Sequence, residues 1–461
     1  HTASGRDGFL PWLLVAAAAP RHQVYAHEFG WFKEGDPTWH RLQAVYGFRD
    51  AGDRLSFTHG KGDVSKRPPE GTHCTHIGAL HRVMMHDAFR NWFQIDMSAD
   101  KEYSQRLESD KLRCWIDQAK SELKPRTLMS LMNEVAAERL AAARKERAGK
   151  PPAEQRRLLQ AQWAKVLGNV EPAAKRQVKE VSSEKLPGAH VKRFLLTLEP
   201  GVQVPVVLLL PAKKSANPPV VVMVGQEGKS ALLKARAAEI VELLDNSVAV
   251  CLPDVRGTGE TGLGKSRDYR SLATALSSSQ LMLDEPLVAG QLRDLRGVLA
   301  WLRSRPDVDG KNISLWGDSL ARVNAADTNF KIPHDGDAVM PPASEPLGGL
   351  LALLGSLYDV QVRAVYIRGG LAEFRSVLDS HLVLIPHDVV VPGLLKTGDL
   401  SDVAAALAPR PVRLDGLVDG LNRRLSADTV KKIYGERAGL TVQADPESPV
   451  KWLIATTGAG R

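Results

Sequence analysis

Cysteine is scarce: Cys74, Cys114 and Cys251 are the only three in 461 residues, and none sits in a CxxC pair. That excludes a disulfide framework. No run of 18 apolar residues occurs, so no transmembrane helix is predicted. Helix-turn-helix, zinc-finger, RRM and KH patterns are absent, so nucleic acid is not a predicted partner. HExxH and CxxC…H spacings are absent too, and neither a metal nor another cofactor is predicted. Histidine is missing from everything after His387.

What remains is a globular composition, 43% hydrophobic and 25% charged. The net charge of +8 is concentrated in one stretch. Between Lys111 and Lys185 stand 17 basic and 9 acidic residues. With no accompanying recognition motif, this reads as a solvated helical face. Leu10–Pro20 (LPWLLVAAAAP) has the look of a short signal-peptide core. An internal repeat accounts for it better.

Ala16–Arg21 (AAAAPR) and Ala405–Arg410 (AALAPR) each follow an apolar helical stretch and precede a strand-like run. The runs are Gln23–Ala26 (QVYA) and Val412–Leu414 (VRL). Some way on, Val45-Tyr46-Gly47 and then Asp53–Phe57 match Ile433-Tyr434-Gly435 and then Gly439–Val442. The repeat predicts three regions: 1–105, the C-terminal part of a first domain whose head is absent; 106–185, a helical connector; and 186–461, a second, related domain. In the connector, Leu128, Leu131, Met132 and Val135 have helical spacing, as do Leu158, Leu159, Trp163 and Val166 after the Gly149–Pro152 break.

The second domain alternates strands and helices. Val191–Leu198 and Val204–Leu210 read as antiparallel strands. Pro219–Val224 and Ser247–Leu252 read as strands buried on both faces. Leu287–Arg303 is an amphipathic helix, Ile313–Trp316 a short strand, Val362–Ile367 and Val412–Leu414 further strands. The expected class is α/β, with a mostly parallel sheet, helices on both faces, and its site at the carboxyl ends of the strands.

Gly317-Asp318-Ser319-Leu320-Ala321 follows the strand ISLW directly, where a nucleophile elbow belongs. Such a turn needs small neighbours; Gly317 meets that need, and Ala321 replaces a second glycine. A helix should start right after the serine, yet Arg322–Pro346 is polar and rich in turn formers. Gly225-Gln226-Glu227-Gly228 ends the strand PVVVMV and is placed to form an oxyanion hole from the backbone N–H groups of Gln226 and Leu320. Asp419, five residues after the strand VRL, is the candidate acid, with Asp415 its rival. The base is predicted to be His387, in IPHDVVVPG, with His334 and His73 as alternatives. The cluster His73, Cys74, His76, His81 and His86 is read as residual machinery of the first domain rather than as a metal site.

The GDSLA segment, the Asp254-Val255-Arg256-Gly257 turn after VAVCL, the ALAPRPV run and Asp419 together resemble α/β-hydrolases of the acetyl xylan esterase-like group. AHEFGW, PEGTHCTHIG and HDVVVPGLL are similar to stretches of tandem proteins of this kind, frequent in planctomycetes. The resemblance implies hydrolysis of carboxylic esters, commonly acetyl esters on polysaccharides, by a serine nucleophile. It also implies a secreted or periplasmic location. In the first half it places a catalytic histidine at His73 and an acid at Glu28 or Asp36, with no matching serine in the chain. Ala321, the late helix and the missing C-terminal histidine depart from the pattern. Two other readings stay open: a non-catalytic hydrolase fold that binds glycan or a partner, and a serine hydrolase of glycosidic or amide bonds. For ordinary glycosidase chemistry, Asp254, Glu260 and Asp318 are the carboxylates near strand ends.

Overall fold

The computed structural model describes residues 2–27, 31–59, 79–97, 107–212, 217–264, 266–267, 271–330 and 341–457. The chain forms two compact units, Ser4–Pro125 and Arg126–Arg461, the latter grouped with the first three residues.

The smaller unit runs α1 (Pro11–Ala16), β1 (Gln23–His27), α2 (Pro37–Gly47), β2 (Leu55–His59), α3 (Ala79–Phe93) and α4 (Asp117–Leu123). β1 and β2 pair in parallel, Gln23 opposite Leu55. α2 begins where Asp36 caps the Thr38 N–H and Pro37 takes the first helical position, where a missing N–H costs nothing. Tyr46 is fully buried, and its hydroxyl donates to the Arg21 carbonyl at 2.8 Å, tying the end of α2 to the start of β1.

The larger unit opens with α5 (Leu128–Arg147) and α6 (Pro152–Leu167). Three antiparallel strands follow: β3 (Gln177–Leu186), β4 (Ala189–Glu199) and β5 (Val202–Pro211). Next come β6 (Val220–Gly225), α7 (Lys229–Ala235), α8 (Ala237–Asp245), β7 (Ala249–Pro253), α9 (Leu272–Met282), α10 (Leu287–Arg303) and β8 (Ile313–Asp318). The chain finishes with α11 (Leu347–Tyr358), β9 (Val362–Arg368), α12 (Leu400–Leu407), β10 (Val412–Asp415), α13 (Ala427–Tyr434), β11 (Leu440–Gln443) and α14 (Val450–Thr457). One nine-stranded sheet results, in the order β11-β10-β9-β8-β6-β7-β5-β4-β3. It is parallel from β11 through β7 and antiparallel from there to β3.

Side-chain alternation along the strands decides what each face meets. Val220, Val222 and Val224 of β6 join Leu315, Val365 and Leu414 under α6, α10, α11 and α12. Val221 and Met223 point the other way, with Trp316 and Tyr366, under α8 and α14. Both faces are covered, so the central strands are apolar throughout.

Two predicted boundaries shift. Residues 177–185, expected within a helical connector, form most of β3, whose polar, exposed side chains lack the apolar alternation that marks a strand. α6 packs into the core of the larger unit through Leu159, Trp163 and Leu167. Residues 231–243, whose apolar positions have the spacing of one continuous helix, fall instead in two, α7 and α8, parted at Arg236.

Both copies of the repeat have one local fold. α12-β10-α13-β11-α14 follows the same helix-strand-helix-strand-helix order as α1-β1-α2-β2-α3, with the strands parallel each time.

Candidate functional site

Ser319 is the first residue after β8, which lies between β6 and β9 in the sheet. The turn is pinned from below. Asp318 is fully buried, and Arg236 reaches it with two hydrogen bonds of 2.7 and 2.9 Å. The Ser319 N–H donates to the Arg368 carbonyl at 3.0 Å. Its Oγ accepts from the Ala321 N–H at 3.3 Å. Gly369, at φ +70°, passes so close that a Cβ there would stand 3.1 Å from the Ser319 Cβ.

The helix expected straight after the serine is in place, but the chain reaches it late. α11 packs its first residues on the end of β8: the backbone of Gly348 and Gly349 lies where a Cβ on Gly317 would be, and a Cβ on Gly348 would strike the backbone of Asp318. The chain leaves β8 at Ser319 and starts the helix only at Leu347; of the excursion between them, residues 320–330 and 341–346 are described. The described part of that excursion is stitched to the turn after β10. Asn324 donates to the Pro342 and Leu421 carbonyls at 2.9 Å each, and the Asn422 amide donates to the Arg322 carbonyl at 2.9 Å.

The excursion carries Glu345 back to the serine turn. Its Oε2 accepts the Leu320 N–H at 2.6 Å. Burial pushes this carboxyl up to about 7, against the pull of that N–H. The sequence reading assigned the Leu320 N–H to the oxyanion and did not single out Glu345. The only hint was its place just before the Gly348-Gly349 pair.

Gln226, the other predicted donor residue, follows β6 and is fully buried. Its side-chain amide donates to Asp388 Oδ2 at 3.0 Å. Arg267 donates to the same oxygen at 2.5 Å and to the Gln226 carbonyl at 3.2 Å. Burial pushes the Asp388 carboxyl up, with Arg267 opposing. Neither Asp388 nor Arg267 was foreseen; they meet Gln226 from sites more than a hundred and about forty residues away, which no local pattern encodes.

His387 is half-buried and held by α9. Its Nδ1 lies 3.0 Å from Ser277 Oγ, and its Nε2 lies 3.5 Å from Ser278 Oγ. Asp419 is part of a turn: its Oδ1 accepts the Leu421 and Arg423 N–H groups, both at 2.9 Å. The structure thus joins the serine excursion to the Asp419 turn and sets His387 against other partners. Asp415, the rival acid, is fully buried, with Arg413 donating to it at 2.7 Å and the Tyr366 hydroxyl at 3.1 Å. In the smaller unit Asp36 caps α2 and accepts the Trp31 indole N–H at 3.0 Å. Glu28, His73, Cys74, His76 and His334 lie outside the described residues. Among the described residues no group of three His, Cys, Asp or Glu side chains is arranged to hold a metal ion, and no helix is long and apolar enough to cross a membrane.

No protein-family model matches this sequence, and no curated protein sequence is similar to it. Solved structures are similar. A Bacteroides fragilis protein provisionally named as an acetyl xylan esterase superposes with a TM-score of 0.51 at 14% identity, over 69% of this chain and 83% of its own. A glucuronoyl esterase from Solibacter usitatus gives 0.40 at 14% identity, over 66% and 91%. Acetyl xylan esterase 1 from a Thermoanaerobacterium species gives 0.40 at 16% identity, over 66% and 94%. At such identities the likeness is one of fold. With helices on both faces of a mostly parallel sheet and a serine at the end of a central strand, the larger unit has the α/β-hydrolase fold.

Proposed function

We propose that the protein is a serine hydrolase of carboxylic esters. The observation that carries this reading is the position of Ser319: it leaves the end of a central parallel strand at the point where the N-terminus of α11 packs against Gly317. The name of the Bacteroides structure and the sequence resemblance suggest the substrate class, an acyl ester on a polysaccharide.

In this reading the Ser319 hydroxyl loses its proton to His387 as its oxygen attacks the ester carbonyl. The proton then leaves with the alcohol, and an acyl-enzyme remains. Water attacks the acyl group and gives a proton to His387, which passes it to the Ser319 oxygen as the acid leaves, restoring the free serine and the neutral histidine. Leu320 and Gln226 supply backbone N–H groups to the oxyanion. Asp419 serves as the acid of the triad. The histidine ring is steadied at Nδ1 by Ser277, and Nε2, with Ser278 Oγ at 3.5 Å, is the nitrogen that takes the proton. The smaller unit is read as the tail of a first hydrolase-like domain, on the shared order of its elements with α12–α14.

The test is a fluorophosphonate probe, which needs an activated serine, followed by peptide mapping. Labelling at Ser319, together with loss of p-nitrophenyl acetate hydrolysis by orders of magnitude in Ser319→Ala, is expected. A folded protein that takes no label sinks the proposal.

A second reading has its own observation. Glu345 already holds the Leu320 N–H. That suits a hydrolase fold used for binding alone, and that reading predicts no label.

A further inference from the structure

We propose that Glu345 competes with the substrate carbonyl oxygen for the Leu320 N–H and so sets the affinity of the site for an ester. This rests on the serine-hydrolase reading. The N–H after the nucleophile is where a developing oxyanion is received in such a site. One donor hydrogen cannot serve a carboxyl oxygen at 2.6 Å and an ester oxygen at once. Glu345 stands just before Pro346, which leads into α11. An ester therefore binds only when the carboxyl group swings away.

The swing depends on pH, and its sign follows from the surroundings. Among the described residues the charged side chains that bear most on Glu345 are Glu227, Asp318 and Arg267. Glu227, from the turn after β6, and Asp318, at the end of β8, disfavour its charge; Arg267, from the segment before α9, favours it. Burial outweighs them all and holds the seated carboxyl near 7, against 4.5 for a free one. Seated, the group is neutral at a pH where the released group is already charged. Raising the pH from below 4.5 through about 7 therefore favours release, and the Leu320 N–H becomes free at the alkaline end. The gap sets a ceiling of roughly 300-fold on the change in ester affinity.

The experiment measures KM and kcat for p-nitrophenyl acetate from about pH 5 to about pH 8.5, in the wild type, Glu345→Ala and Glu345→Gln. The wild-type KM is expected to fall as the pH rises. Glu345→Ala leaves the N–H open, so KM is low at every pH, about tenfold or more below wild type at the acid end. Glu345→Gln keeps an acceptor but cannot ionise, so its KM stays high even at the alkaline end. All three keep similar kcat. One shared KM profile overturns the proposal, as does a collapse of kcat in folded Glu345→Ala, which would place the residue in the chemistry. A readout free of turnover separates the proposal from the reading beneath it. In protein carrying 15N-leucine, with the signal assigned by its loss in Leu320→Met, the Leu320 amide resonance titrates near 7 in the wild type and not in Glu345→Ala. A flat Leu320 signal overturns the contact, whereas absence of fluorophosphonate labelling overturns the hydrolase reading.

Discussion

The backbone carbonyl of Gly348, at the start of α11, lies where a Cβ on Gly317 would stand, and Gly348 in turn presses on the backbone of Asp318. The two glycines are 31 positions apart in the chain, whereas the small residues flanking the serine of an uninterrupted elbow are four apart. Close approach of strand end and helix start thus survives an excursion of 27 residues.

The first prediction follows from that contact. Gly348→Ala puts a methyl group against the backbone of Asp318 and Val224, which cannot give way as a side-chain tip can. The expected cost is about 1–3 kcal/mol of stability from overpacking. Denaturant unfolding measures it, with the neighbouring Leu347→Met, a swap that keeps volume, as control. An unchanged midpoint in Gly348→Ala would show that strand and helix are not in contact.

The two candidate acids should separate by what they hold. Asp415→Asn leaves the buried Arg413 guanidinium without its charged partner. Loss of one member of a buried pair costs about 3–5 kcal/mol, so this variant is expected to lose stability and, where folded, to keep Ser319 reactive. Asp419→Asn keeps an oxygen for the Leu421 and Arg423 N–H groups and costs about 1 kcal/mol or less, while ester hydrolysis falls at least tenfold. Thermal melting and turnover of p-nitrophenyl acetate, measured on both variants, decide it. The reverse pattern would make Asp415 the acid.

A pH effect on stability is expected from Glu373. Burial, with Asp399 beside it, pushes this carboxyl up to about 7. The folded state therefore holds a proton that the unfolded chain releases near 4.5, and stability falls as the pH rises from there through about 7. Glu373→Gln, which stays neutral, should raise Tm at about pH 8 and leave it unchanged at about pH 4. Equal shifts at both ends would mean that the charge of Glu373 plays no part.

The sequence alone determined the layered α/β class, because burial on both faces makes a central strand such as Val220–Gly225 apolar along its whole length, and that is visible without any partner. It also determined the place of Ser319, since small residues directly after a buried strand are a local signal. The repeat could be seen for the same reason: each copy is a continuous segment. Only the tertiary structure decided what surrounds the serine. The strand β3 escaped notice because its side chains are polar and exposed, and only its pairing with β4 makes it a strand. Glu345, Arg267 and Asp388 come from excursions and loops whose course depends on distant contacts, such as those of Asn324 and Asn422. A hydrogen bond between groups far apart in the chain leaves no periodicity in the sequence, so the partner of the Leu320 N–H could be found only once the chain had folded.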